Sequence, residues 1–414
     1  MFVSHLECGL CGTRLPPEPS AAGPATVCPA PGCGKPLLVR YDLDAARAAL
    51  QERDWSHRPP GLWRYRELLP LPRGAEPVTL GEIETPLSAA PRTAEAAGLS
   101  PGRLWLKDEG RLPTGSFKAR GMSAALSMAR TAGVRRIGLP SAGNAAGAAS
   151  AYGAAAGMAV EVFVPPDAPA ANLAECRLYG AAVHLVPGTI ADAGREVLRR
   201  AAAEGWFVPA TLREPYRIEG KKTMGLELAD QFARALAGGR GAVPDRCLPD
   251  VIVYPTGGGT GLIGLHKAFA ELRALAGRWD ARPVGGGVQP RLYAAQPEGC
   301  SPVVRAWSEG ARFARPFENP ATAASGLRVP AALGDFLMID ALRDSGGAAV
   351  LGAEADIRAW MLRAGADGLS VCPETAIALS GLQRLVADGR VRPDETVVVL
   401  NCATGLKYLD LLGR

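Results

Sequence analysis

The chain has 414 residues, of which 48% are apolar and 21% charged. That is long enough for two or three packed domains and too apolar for a mainly disordered chain. The formal charge of +5 is spread over Arg residues scattered among acids. This excludes a basic nucleic-acid-binding run and at most suits a small anionic ligand. No apolar run reaches the length of a membrane span, and the opening residues lack a basic start followed by an apolar stretch. A soluble cytoplasmic protein with no membrane partner is the expectation.

Four of the nine cysteines open the chain: Cys8, Cys11, Cys28 and Cys33, spaced C-x2-C-x16-C-x4-C, with Gly9, Gly12, Gly32 and Gly34 beside them. Two Cys knuckles set apart by a loop can place four thiolates tetrahedrally around zinc. Two disulfides are the alternative, which a cytoplasmic chain disfavours. With four thiolates the metal has no open position, so its role is structural.

A short helix is expected over 43–53, followed by a Pro-rich aromatic connector. From Arg136 onward short apolar strands alternate with helices: strand RIGLP, a helix over 145–157, strand AVEVFVP, helix NLAECRLYG, strand AVHLVPG, helix DAGREVLRRAAAEG and strand WFVPAT. A second such set runs from VIVYP through a helix over 262–276 and RLYAAQP to TVVVLN. This order predicts an α/β protein with parallel sheets covered by helices. The expected domains are a ribbon over 1–42, a large domain over 43–121 and 218–414, and a smaller inserted domain over 122–217.

Three segments carry chemistry. In LPTGSFKARGM, Lys118 starts an apolar helix and is one of only seven lysines among 46 basic residues. The helix N-terminus disfavours an ammonium, so the neutral amine that attacks a carbonyl is favoured there. An exposed helix-start lysine is the plain alternative. In RIGLP-SAGNAAG, Ser141, Gly143 and Asn144 lie at the carboxyl end of a parallel strand. Backbone N–H groups and a hydroxyl there suit a carboxylate, and the Asn144 amide suits a ring hydroxyl; an ordinary helix cap reads equally well. In VIVYPTGGGTGLIG, the loop Gly257, Gly258, Gly259, Thr260 and Gly261 suits a phosphate. Gly259, Gly261 and Gly264 also fit the dinucleotide spacing, but the acid expected about 20 residues on is Asp280, in a loop before the next strand. Together the three segments favour one phosphate-bearing aldehyde, pyridoxal 5'-phosphate, over a dinucleotide.

With these segments, the Cys ribbon, ECRLYGA, LREPYRIEGKKTMG, ASGLRVPAALGDF, CPET and LNCATGLKYLD, the chain resembles the threonine synthase family of fold type II pyridoxal-phosphate enzymes over nearly its whole length. The resemblance implies a tryptophan synthase β-like fold, with two open parallel-sheet domains behind the zinc ribbon, and a homodimer acting on a small amino-acid substrate. It implies that Lys118 carries the cofactor and acts as general base. Asn144 meets the ring hydroxyl, Gly257–Gly261 hold the cofactor phosphate, and Cys402 faces the ring nitrogen. The Ser141 loop takes the substrate carboxylate, and Arg217 and Lys107 take a substrate phosphate. Three departures concern the substrate: Cys402 stands where the family often has Thr, Glu374-Thr375 where it has Glu-Gly, and Gly81–Leu87 is a bulky, acidic variant of G-E-G-x-T-P-L. The expected reaction converts O-phosphohomoserine and water to threonine and phosphate. The alternative is β-elimination or β-replacement on a serine-type or phosphorylated amino acid, as in dehydratase-like and cysteate synthase-like relatives.

Overall fold

The computed structural model describes residues 2–19, 23–166, 168–237, 248–275 and 289–413. Asp280 and the expected helix end at Ala276 lie outside the described residues. The strands are, in chain order, β1 (Val3–Cys8), β2 (Arg14–Leu15), β3 (Leu37–Tyr41), β4 (Leu87–Ala89), β5 (Leu104–Asp108), β6 (Arg136–Pro140), β7 (Ala159–Val164), β8 (Ala182–Leu185), β9 (Val251–Pro255), β10 (Arg291–Pro297), β11 (Ala348–Gly352) and β12 (Val397–Asn401). The first six helices are α1 (Leu43–Glu52), α2 (Pro91–Ala96), α3 (Lys118–Thr131), α4 (Asn144–Ala155), α5 (Ala170–Leu178) and α6 (Ile190–Glu204). The others are α7 (Tyr216–Ala237), α8 (Thr260–Ala274), α9 (Pro302–Ser308), α10 (Asp335–Asp344), α11 (Ile357–Ala366) and α12 (Pro373–Ala387). Among the described residues no helix is long and apolar enough to cross a membrane.

The chain divides into two compact units, Met1–Ile83 with Leu112–Lys221, and Glu84–Arg111 with Lys222–Arg414. In the first, β2-β1-β3 form a small antiparallel sheet and β6-β7-β8 a parallel one. Met122 and Leu126 of α3, Ala148 and Tyr152 of α4, and Ile137 and Val162 of the parallel sheet share one core. The alanines and glycines of α4 let it lie close to its neighbours. The strand expected at WFVPAT is only a bridge from Phe207 to Ile137, because Pro209 has no N–H to extend a ladder.

The ribbon does not keep a core to itself. Leu6, Leu37 and Val39 pack in one cluster with Ala125 and Met128 of α3 and with Tyr216. The observed divisions accordingly fall at 83/84, 111/112 and 221/222, where the sequence suggested 42/43, 121/122 and 217/218.

The second unit is built on a six-stranded sheet, β11-β10-β9-β12-β5-β4, parallel except for the edge pair β4–β5. The central strands β9 and β12 are buried at every position, as their unbroken apolar runs require when helices cover both faces. Helix α12 packs Ile377, Leu379 and Leu382 into this core.

Candidate active site and cysteine cluster

Lys118 is the first residue of α3. The approach to it is strained. Thr114 holds φ +60°, a conformation that a β-branched residue rarely adopts, and Gly115 follows at φ +62°. This turn buries the hydroxyls of Thr114 and Ser116, and neither has a hydrogen-bond partner among the described residues. The Lys118 ammonium lies 3.8 Å from the centroid of the Phe117 ring, and that of Lys221 lies 5.0 Å from the same ring. One turn into α3, a Cβ on Gly121 would meet Lys221 Nζ and the Arg217 backbone. Arg217 and Lys221 are thus packed beside the helix that Lys118 begins.

Arg217 is 2% exposed. Its Nη1 donates to the Pro209 carbonyl at 2.8 Å, while Nε has no partner. It forms no ion pair among the described residues, and burial lowers its pKa. A buried guanidinium without a carboxylate is costly unless an anion arrives. Just upstream, Glu214 is fully buried, and its Oε2 accepts the N–H groups of Tyr216 (2.7 Å) and Arg217 (3.0 Å). Neither Glu214 nor Lys221 was singled out from sequence; the segment EPYRIEGKK, with its run of charges on a helix start, was the available signal.

Gly143 precedes α4 and Asn144 begins it. Ser141 Oγ accepts the Gly143 N–H at 3.4 Å, and Asn172 of α5 donates to the Ala142 carbonyl at 2.7 Å, holding the loop. The loop therefore has the local form expected for it.

In the second unit, Gly257–Gly261 join β9 to α8. Gly259 adopts φ +86° at the helix start. A Cβ on Gly261 would lie 1.9 Å from the Tyr254 hydroxyl, so a side chain there is excluded. Cys402 follows β12 and is 5% exposed. The Tyr254 hydroxyl lies near Cys402, and burial pushes that hydroxyl well above its ordinary pKa, keeping it neutral. Thr375, one of the departures noted above, is a hub. Its hydroxyl donates to Asn401 Oδ1 (2.9 Å) and accepts the Cys402 N–H (3.2 Å). Asn401 in turn donates to Asp108 Oδ1 at 2.8 Å. This network ties the carboxyl ends of β5 and β12 to the start of α12.

Lys107 is fully buried on β5. Nζ donates to Glu227 Oε2 (2.7 Å), the Thr85 carbonyl (2.9 Å) and Gln231 Oε1 (3.0 Å). An ammonium has three donors, and these acceptors use all of them. The substrate-phosphate role expected for Lys107 does not fit this geometry.

The Sγ atoms of Cys8, Cys11, Cys28 and Cys33 all lie within 4.8 Å of one another. Three of the separations are 3.6 Å. That is far longer than a disulfide and close to the edge of a zinc–thiolate tetrahedron. The N–H groups of Leu10 and Cys11 point at Cys8 Sγ, as in a metal knuckle. The quartet is compatible with zinc.

Residues 78–403 match the family model described as pyridoxal-phosphate dependent enzyme. The chain is 33% identical to a threonine synthase of Methanosarcina acetivorans, over 97% of this chain and 92% of that one. It is 31% identical to a threonine synthase of Methanocaldococcus jannaschii, over 92% and 89%. Among solved structures it resembles maize serine racemase, with TM-score 0.62, 20% identity and 80% and 94% coverage. It also resembles the processed form of threonine deaminase isoform 2 of Solanum lycopersicum, with TM-score 0.63, 20% identity and 86% and 96% coverage. These two likenesses concern the fold. Within the first unit, the orphaned Thr114 and Ser116 hydroxyls beside Lys118 suit a polar ligand; within the second, the glycine loop at the start of α8 suits an anion such as a phosphate. The chain belongs to the pyridoxal-phosphate-dependent enzymes, as a fold type II, threonine synthase-like lyase.

Proposed function

We propose that the enzyme converts O-phosphohomoserine and water to threonine and phosphate. The observation that carries this reading is Arg217, a buried guanidinium with no ion pair among the described residues. A serine-type substrate brings no second anion to such a group, whereas a phosphorylated one does.

Bound pyridoxal phosphate supplies an electron sink for charge at the carbon beside the substrate amine. In this reading Lys118 would hold the cofactor through its amine and, as general base, would move protons between Cα and Cβ of the substrate. Asn144 orients the ring through its hydroxyl. Gly257, Gly258, Gly259, Thr260 and Gly261 hold the cofactor phosphate. Cys402 would serve the ring nitrogen as a neutral partner, a choice that suits elimination and replacement over transamination. The Ser141 loop binds the substrate carboxylate, and Arg217 binds the leaving phosphate and stabilises its charge. The Cys quartet holds one structural zinc. The enzyme is taken to be a cytoplasmic homodimer, on family resemblance.

The test is a substrate screen of holoenzyme with O-phosphohomoserine, O-phosphoserine, serine and threonine, reading phosphate, ammonia and amino-acid products. Phosphate and threonine from O-phosphohomoserine, with a raised KM in R217Q, support the reading. Ammonia from serine or threonine, unaffected by R217Q, refutes it in favour of a dehydratase-like enzyme.

A further inference from the structure

Gln296 stands near the end of β10 and is fully buried. Strands β9 and β10 run parallel with Ala295 opposite Pro255, so Gln296 and Thr256 are neighbours where the strands end. The Gln296 amide is used on both sides. Oε1 accepts the N–H groups of Val303 (2.8 Å) and Val304 (3.2 Å) in the first turn of α9, and Nε2 donates to the Thr256 carbonyl at 3.0 Å. These partners fix the amide's orientation, because N–H groups need its oxygen and a carbonyl needs its nitrogen. Ser301, at the cap position of α9, makes no side-chain bond to the helix, so Gln296 caps that end.

Thr256 is fully buried and held at every polar atom. Its N–H donates to the Ala295 carbonyl at 2.8 Å, and its hydroxyl to the Tyr254 carbonyl at 2.8 Å. Its carbonyl belongs to the peptide unit that supplies the Gly257 N–H. None of the described peptide bonds is cis, and in a trans peptide the carbonyl and the N–H point in opposite directions. Holding the carbonyl on Gln296 therefore turns the Gly257 N–H away from Gln296 and α9. Among the described residues, the N–H groups of Gly257, Gly258 and Gly259 take no hydrogen bond within the protein. Gly257 and Gly259 are buried. Buried N–H groups without a partner are rare, and a run of them before a helix start suits an anion.

We infer that Gln296 is a positioning residue for the cofactor phosphate: by holding the Thr256 carbonyl it aims the Gly257 N–H at the anion. The inference rests on the reading of Gly257–Gly261 as the phosphate loop. The two hydrogen bonds of this peptide support each other. Donation from the Gly257 N–H to an anion makes the Thr256 carbonyl a stronger acceptor for Gln296. Without the Gln296 donor, the buried carbonyl loses its partner and the peptide turns to find another, taking the N–H with it.

The test titrates the full chain, freed of cofactor, with pyridoxal 5'-phosphate and with pyridoxal, which lacks the phosphate. The ratio of the two dissociation constants reads the phosphate contacts apart from those of the ring. Q296M has no donor, acceptor or charge. Q296E lacks the donor but keeps the acceptor for Val303 and Val304. Both should lower the preference for the phosphorylated ligand by on the order of tenfold, with pyridoxal affinity near the wild-type value. Loss in Q296M excludes repulsion by an added charge as the cause, and loss in Q296E excludes loss of the α9 cap. If either variant keeps the wild-type preference, the inference is overturned. G259A strains the loop itself, since Gly259 holds φ +86°. If G259A loses the preference while Q296M keeps it, the phosphate loop stands and Gln296 only caps α9. If G259A keeps the wild-type ratio, the phosphate-loop reading falls and takes the inference with it. Should neither Gln296 variant fold, the wild type decides. Inorganic phosphate added to the cofactor-free chain should move the Gln296 side-chain amide protons downfield in NMR spectra. An unmoved amide signal beside shifted Gly257, Gly258 and Gly259 signals overturns the inference.

Discussion

Helices α3 and α7 cross at Gly121 and Gly220, and Gly220→Ala probes that crossing. A Cβ at position 220 would sit 2.0 Å from the Arg120 carbonyl oxygen, 2.6 Å from its carbon and 3.0 Å from Gly121 Cα. All three are backbone atoms, so no side-chain rotation relieves the clash. Restoring an ordinary carbon–oxygen contact of roughly 3.3 Å requires local movement of about 1.3 Å. Overpacking of this kind costs about 1–3 kcal/mol or more, against a gain of about 1 kcal/mol from replacing glycine by alanine in a helix. Three backbone contacts at or below 3.0 Å put the cost at the upper end of that range, so the expected net loss is about 2 kcal/mol. Gly194→Ala in α6 is the control. Its nearest foreign atom is Pro140 Cγ at 3.9 Å, so only the helix gain of about 1 kcal/mol remains. Urea unfolding midpoints should move in opposite directions for the two variants. Lys118 and Arg217 each lie three residues before a crossing glycine, so phosphate release in Gly220→Ala should fall even where the protein is fully folded. An unchanged midpoint for Gly220→Ala, or a loss for Gly194→Ala equal to it, would refute the reasoning.

Metal analysis of the purified protein should find one zinc per chain. Cys8→Ser or Cys28→Ser should loosen the ribbon while sparing most cofactor absorbance, since the ribbon offers no cofactor ligand. Lys107→Met leaves the Glu227 carboxylate buried without its cation and should cost about 3–5 kcal/mol in unfolding experiments. Adding Glu227→Leu should restore most of that loss with KM unchanged, whereas a raised KM in the double variant would return Lys107 to the substrate. Cys402→Thr should keep cofactor and activity, and Cys402→Asp should raise abortive transamination while lowering turnover. An unaltered spectrum and reaction course in Cys402→Asp would move the ring-nitrogen role to Thr404. The raised Glu214 carboxyl makes the folded protein bind more protons than the unfolded chain between about pH 4.5 and about 7. Its contribution to stability is thus complete below about 4.5 and is lost as pH rises through about 7, a change of about 3 kcal/mol. Glu214→Gln should flatten that part of the stability profile in urea midpoints at pH 5 and 8.

What was legible in the sequence was whatever a short segment states by itself. The four cysteines need only their own spacing. The glycine density after VIVYP announces a turn that excludes side chains, and Gly261 against Tyr254 shows why. The helix start at Lys118 follows from the Gly-Ser turn before an apolar run. Features set by distant partners were not legible. Lys107 looks like any lysine beside an acid until Glu227, 120 residues away, closes on it. Phe207 reads as a strand residue, yet Pro209 limits it to a bridge. Glu214 appears as one more surface acid, because nothing local reveals that its carboxylate is buried and faces two cations. The ribbon reads as a separate domain, because its spacing contains no hint of Ala125, Met128 and Tyr216.

That shared core has a consequence for synthesis. The ribbon is complete by Tyr41, but the helix residues that cover Leu6, Leu37 and Val39 come later, at Ala125 and Met128, and then at Tyr216. At translation rates of about 5–20 residues per second, Leu71 of the same cluster emerges on the order of 2–6 s after the ribbon and the helix cover at Ala125 on the order of 4–17 s after it. Through that interval an apolar face waits on the nascent chain. A ribbon whose four thiolates held a metal ion would wait as a small rigid body rather than as a loose sticky segment, and metal supply would then bear on folding at the ribosome.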